Sequence, residues 1–153
     1  MKDYDNLWDD YSIEFNSKLI DSGGDWSRLD EDEQEIAALW KLYVDINNGG
    51  FIQFFCNWGF QCLCYAMRGL KRIEDTSLYD LLDDTYCNVL DKFKNDTRLT
   101  AYWDIPEYLT DEDMERLDAA DTQFYETECE HFTKMAYEYY SQTLKKMVTP
   151  VNG

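Results

Sequence analysis

Carboxylates are the side chains this sequence offers for chemistry, 32 of them, and they come in runs. The densest are Asp30-Glu31-Asp32-Glu33-Gln34-Glu35, then Asp80 with Asp83 and Asp84, then Asp111-Glu112-Asp113. Paired carboxylates can split a glycosidic bond or hold a hard cation such as calcium. The sequence context supplies neither: there is no Asp-x-Asp-x-Asp-Gly loop and no phosphate-cradling glycine loop, and Gly49-Gly50 is too short to serve as one. His131 is the only histidine, and any nucleophile-base pair has to use it. Its neighbours Cys129 and Glu130 lie two and one residues away, which on a helix points them in other directions. Cys56, Cys62 and Cys64 sit in an aromatic helical run without the paired spacing of structural zinc, so they read as small buried apolar groups. The expectation is a non-enzyme with no catalytic residue, no metal and no cofactor. Five cysteines, an odd number, in a chain opening Met1-Lys2-Asp3-Tyr4-Asp5 predict free thiols in the cytoplasm, since that opening is no export leader and no uncharged apolar run nears the ~18 residues of a membrane span.

What remains for the carboxylates is charge. The formal net charge is −18, against 14 basic residues, which disfavours direct binding to nucleic acid or an anionic membrane and favours a basic partner. The acidity is uneven: residues 1–35 and 74–113 each carry a net −9, residues 114–153 carry −3, and residues 36–73 carry +3. A DNA duplex presents one phosphate charge per ~1.7 Å of its axis, and its binders depend on Lys and Arg. Carboxylates three or four residues apart on a helix stand ~5–6 Å from one another, so two acidic helices side by side can imitate a phosphate row. The plainer reading is a solvated, solubilising face, or acids that favour helix starts.

Such residues need elements to position them, and the hydropathy pattern supplies helices alone. Leu7, Trp8, Tyr11, Phe15 and Leu19 mark a first helix over about residues 4–20, ended by Ser22-Gly23-Gly24. Asp30 caps a second, with Glu33 reaching back from the third position. After Gly59 a further face runs through Leu63, Ala66, Leu70 and Ile73, with Arg68, Lys71 and Arg72 in its last turns where cations suit the dipole. Ser77 is the expected cap of the next helix, whose stripe Leu78, Leu82, Tyr86, Val89, Leu90, Phe93 is the most regular in the chain. Residues 95–109 read as a loop with a short helical turn ended by Pro106, and Thr110 caps a new helix with Asp113 at its third position and a Leu109–Met114 staple. The remaining chain is two helices or one bent helix, with a break near Glu126 to Glu130. With 44% hydrophobic and 16% aromatic residues, this is a folded chain and not an acidic tail. The fold class expected is all-α: one domain over residues 1–147, six or seven helices around a central aromatic-rich helix pair, and a tail over 148–153.

Two of those helices meet at Asn47-Asn48-Gly49-Gly50, between the apolar faces of Ile36, Leu39, Trp40, Tyr43 and of Phe51, Phe54, Phe55, Trp58. Asn and Gly adopt the left-handed backbone that ends a helix, and Asn can cap the next one. The run Asp45 to Phe55 (Asn47, Asn48, Gly49, Gly50, Phe51, Gln53, Phe54, Phe55), followed by Asn57, resembles the signature of a family of small acidic bacterial helical proteins that includes a DNA mimic binding a transcription repressor in place of its DNA. Leu117-Asp118 to Phe124-Tyr125 is similar to that family's C-terminal pattern of Leu-Asp followed by two aromatics. The resemblance is tight over 45–57 and loose over about 29–140, and the chain departs from it at Cys56 and Trp58-Gly59. It implies a helical fold and a binding protein whose partner is a basic DNA-binding protein, a transcription factor such as a repressor. Alternatives are an acidic inhibitor of a basic nuclease, a carboxylate-pair hydrolase or a plain structural module. The contact candidates are Asp30, Glu31, Asp32, Glu33, Glu35, Asp80, Asp83, Asp84, Asp111, Glu112 and Asp113. The oligomeric state is open, a homodimer included.

Overall fold

Acids placed at helix starts decide where the elements begin. The computed structural model describes the backbone of residues 2–148 and the side chains of residues 2–142. Its five α-helices are α1 (Tyr4–Asp21), α2 (Glu31–Arg72), α3 (Thr76–Thr85), α4 (Asp111–Gln123) and α5 (Cys129–Val148), with no strand among the described residues. The Asp3, Asp30, Asp75 and Thr110 side chains each accept a first-turn backbone N–H. The boxes at Asp30/Glu33 and Thr110/Asp113 are both complete. The cap of α3 is Asp75 and not Ser77: Asp75 reaches the Leu78 N–H, while Ser77 donates to Glu128 at 2.7 Å. Met114 is 53% exposed, so the expected staple with Leu109 buries little there.

α2 is one helix by hydrogen bonding but three straight stretches by conformation. Gly50 (φ 87, ψ 179) and Gly59 (φ 72, ψ −157) break it, giving 31–49, 51–58 and 60–72. The described residues thus hold five α-helices, or seven straight stretches against the six or seven expected, and the Asn-Gly joint is a sharp kink. The third stretch returns beside the first: a Cβ on Gly69 would stand 2.9 Å from Leu39 and 3.2 Å from Glu35. The other helices pack around this folded-back element, α1 and α5 on each other as well as on α2, and α3 and α4 on each other. Phe51, Phe54 and Phe55 are each 1% exposed, and Trp8, Phe124, Phe132 and Tyr140 are fully buried. Burial of that many rings is the main driving force for the fold.

The kink at Gly50 is held from α4. The Phe51 N–H, freed because Gly50 leaves the helix, donates to Asp121 at 2.9 Å. The Ile46 carbonyl on the other side accepts the Tyr125 hydroxyl at 2.6 Å. Asp121 and Tyr125 are four residues apart and close both ends of the break, a role the sequence pattern assigned to Asn47 and Asn48. Those two are exposed, with Asn47 donating to the Tyr43 carbonyl and Asn48 to Gln53. Between α4 and α5 the chain stays helical through a π turn, Phe124–Glu128, where the sequence pattern allowed a break. A second π turn, Tyr86–Leu90, and a 3-10 turn, Asp91–Phe93, end the long stripe that begins in α3. In the following connection a 3-10 helix, Tyr102–Tyr108, runs through Pro106, so the proline does not end the helical turn as its missing N–H led the sequence pattern to predict. Residues 149–153 of the expected tail lie outside the described residues.

Candidate functional site

The acidic runs have different fates. In the first, Asp30 and Glu33 close the capping box, and both Glu33 oxygens take the Lys18 ammonium at 2.7 and 2.8 Å. Glu31 and Asp32 pair with Arg72 at 2.9 and 3.2 Å. Glu35 is fully buried and meets Arg68, Arg72 and the Tyr140 hydroxyl, the last at 2.8 Å. Burial pushes the Glu33 carboxyl up, but the hydrogen bonds and charge of Lys18 with the Asp30 amide outweigh it and hold it below the ordinary glutamate value. Arg68 and Arg72, expected to serve the helix dipole, are therefore spent on carboxylates 33 to 41 positions earlier in α2.

The acids of α3 and α4 are different. Asp80 and Asp84 are exposed, Asp83 half-buried, and none of the three has an ion pair among the described residues. They share one side of α3 at i, i+3 and i+4, ~5–6 Å apart. On α4, Asp111, Glu115 and Asp118 are exposed and without an ion pair among the described residues, and of the exposed acids in its first two turns Glu112 is answered, by Arg116 at 3.1 Å one turn on. Asp113 is 4% exposed, caps Thr110 and takes the Lys92 ammonium at 2.6 Å. Burial opposes its ionisation, and Lys92 with the Thr110 N–H and hydroxyl outweigh that, so its carboxyl sits below the usual aspartate value. Burial thus withdraws Glu35 and Asp113 from the contact candidates. Glu115 and Asp118 join them; their signal was their position four and seven residues after Asp111 on one helix face.

α3 and α4 lie against each other and leave a slot of about 210 Å³ lined by Leu81, Asp84, Thr85, Asn88, Val89, Arg116, Ala119, Ala120 and Gln123. Carboxylates thus stand on both of two adjacent helices.

A second polar assembly lies inside the bend of α2. Asp45, 7% exposed, accepts Gln53 at 3.1 Å, Asn57 at 3.2 Å and the Trp58 indole N–H at 2.8 Å, and Asn57 accepts the Trp103 indole at 3.0 Å. The buried Lys41 ammonium bonds Asn16 at 2.6 Å and lies 4.3 Å over the Trp58 ring. Burial holds its pKa below the ordinary lysine value. Every partner here is engaged, so this is a device that shapes the bend.

Chemistry of other kinds finds little. Cys129 and His131 both line one cavity of about 590 Å³. Yet the Cys129 thiol lies 3.7 Å from the Asn47 amide, no hydrogen bond joins it to His131, and burial pushes its pKa up, the opposite of an activated nucleophile. Burial also pushes the Cys56 thiol up to about 12. All five thiols are free. Among the described residues no three His, Cys, Asp or Glu converge to hold a metal ion, and no helix is long and apolar enough to cross a membrane.

An all-α acidic chain with unanswered carboxylates on two adjacent helices and a clasped Asn-Gly kink defines a class of small acidic helical proteins. The chain belongs to the DMP19-like protein family, whose model matches residues 27–143, the span that includes the kink, α2, α3 and α4. DMP19 is a DNA-mimic protein that binds a transcription repressor. No curated protein and no solved structure matches the chain.

Proposed function

We infer that this protein is a non-enzymatic DNA mimic: its acidic surface occupies the DNA-binding surface of a basic DNA-binding protein such as a transcription repressor. The observation that carries the reading is the pair of adjacent helices whose solvent-accessible acids, Asp80, Asp83, Asp84, Asp111, Glu115 and Asp118, have no cation of their own among the described residues. Asp111 sits in the first turn of α4, where the dipole favours it, but the other like charges crowded on packed helices repel, whereas a basic groove gains by exchanging one polyanion for another. Family membership supports the same reading. Asp30, Glu31, Asp32 and Glu33 stand as secondary contacts, since their charge is already answered from within.

The test is capture from cells of the source organism with the wild-type protein and with a variant carrying Asp80→Asn, Asp83→Asn, Asp84→Asn, Glu115→Gln and Asp118→Asn. The expected result is a DNA-binding protein held by the wild type alone and released both by duplex DNA and by raising salt from roughly 50 to 200 mM, a range over which phosphate-type contacts lose orders of magnitude. A captured partner that duplex DNA fails to displace overturns mimicry. If that partner is a nuclease, the inhibitor reading takes over.

A further inference from the structure

We propose that the slot between α3 and α4 is a receptor for a single arginine side chain of the partner. This rests on the reading of α3 and α4 as the partner-facing surface, and adds what that surface recognises. A volume of about 210 Å³ falls below the roughly 300–1,000 Å³ of small-molecule sites and suits one long side chain. The slot is amphipathic in the way an arginine is. Leu81, Val89, Ala119 and Ala120 give it apolar walls for a methylene stem, and Asp84 supplies a carboxylate for the head, with Asn88 and Gln123 as further polar groups.

Charge settles the occupant. Asp84 has no ion pair although Arg116 lines the same slot, because the Arg116 guanidinium is drawn one turn back to Glu112 at 3.1 Å. The Asp84 carboxylate is therefore unpaired among the described residues, with Asp80 and Asp83 on the same side of α3. A planar guanidinium can bond a carboxylate bidentately and is weakly hydrated, so it enters a partly apolar slot more readily than the compact, strongly hydrated lysine ammonium. Arginine is also the residue by which DNA-binding proteins most often read guanine and enter narrow minor grooves, so a slot of this kind selects such a partner over any merely basic protein.

The probes are two labelled decapeptides of equal charge, all-arginine and all-lysine, followed by fluorescence anisotropy. The wild type is expected to bind the arginine peptide about tenfold more tightly, the scale by which one bidentate guanidinium–carboxylate pair exceeds a point charge. Ala119→Leu and, separately, Gln123→Leu fill the slot from exposed positions without altering charge, and circular dichroism checks their helix content. Either is expected to equalise the two affinities while leaving the lysine peptide as before. Neutralising Asp80, Asp83, Glu115 and Asp118 is expected to weaken both peptides and keep their ratio. Equal affinities on the wild type, or an arginine preference that survives both filled slots, overturns the slot and leaves the acidic surface standing. Failure of both peptides to bind the wild type overturns the slot and the acidic surface together.

Discussion

The acidic run that opens α2 and the exposed acids of α3 and α4 look alike in the sequence and differ in how the fold answers their charge. In the first, every carboxylate from Asp30 to Glu35 bonds within the protein, and Glu35 is sealed in the core. In the second, Asp80, Asp83, Asp84, Asp111, Glu115 and Asp118 form no ion pair among the described residues. What separates them is topology. The kinks at Gly50 and Gly59 turn α2 back so that Arg68 and Arg72 reach its own first turns, and no basic stretch returns beside α3 and α4 in the same way. Charge density along a sequence thus measures neither exposure nor availability; the position of the cations after folding decides both.

The largest effect that tests this contrast is at Glu35. Replacing it by Ala leaves Arg68, Arg72 and the Tyr140 hydroxyl without their shared acceptor, and breaking a buried pair in this way costs about 3–5 kcal/mol. Urea denaturation should show the loss as a lower midpoint. A midpoint within error of wild type would mean that the first run is as dispensable to the fold as the second, and the contrast would fail.

The return of α2 depends on its kinks, so the next effect is at Gly50. Its φ of 87° is strained for any other residue, and a Cβ would stand 2.2 Å from the Asp121 carboxylate that holds Phe51. Gly50→Ala should cost about 1–3 kcal/mol. Gly49 is helical, and its added Cβ would meet chiefly the movable end of Gln53. Gly49→Ala should therefore change stability by no more than about 1 kcal/mol, since the better helix propensity of Ala offsets the displacement of Gln53. Equal losses at the two glycines, measured by thermal melting, would remove Gly50 as the hinge that brings the arginines home.

Local signals in the sequence were legible because they act over three or four residues. The capping boxes at Asp30 and Thr110, the stops at Ser22-Gly23-Gly24, and the stripe from Leu78 to Phe93 all follow from spacing alone. The cap of α3 was misplaced by two residues because Asp75 and Ser77 are equally good capping types and only burial selects between them. The acidic surface on α3 and α4 was half legible: Asp80, Asp83, Asp84 and Asp111 are visible as clusters, but nothing nearby in the sequence shows that Glu35 and Asp113 are buried. The clasp of Asp121 and Tyr125 on the kink was illegible, since its hydrogen bonds span 70 and 79 residues.

Asp113 tests the boundary between the two regions, since it lies in α4 yet is answered internally by Lys92. Its folded-state carboxyl titrates below the unfolded value of ~3.9, so its stabilisation is present above that pH and is lost as pH falls through the lower folded value. Asp113→Asn should therefore lower Tm at pH 7, by the equivalent of about 1 kcal/mol for a lost charge-assisted cap, and should narrow the drop in Tm between about pH 5 and 3. A parallel pH profile for variant and wild type would place Asp113 with the unanswered acids.

The smallest expected effect on stability is the most telling for function. Asp80→Asn, Asp83→Asn and Asp84→Asn together remove three like charges from one side of α3, and none of them has an ion pair to lose among the described residues. Asp75 caps α3 from outside this group, and the helix keeps its packing through Leu78 and Leu82. Relief of self-repulsion should leave Tm unchanged or slightly raised, most visibly at low salt where screening is weakest. Binding of a basic partner, or of a lysine decapeptide standing in for one, should weaken by about tenfold or more and lose part of its dependence on salt, because fewer counter-charges are exchanged. A clear fall in Tm would show that these acids hold the fold after all, and α3 would then resemble the start of α2. An unchanged Tm with unchanged binding would leave the charge as a solubilising coat and would move the partner to the half-exposed Trp58 and Trp103, whose indoles Asp45 and Asn57 already hold in place.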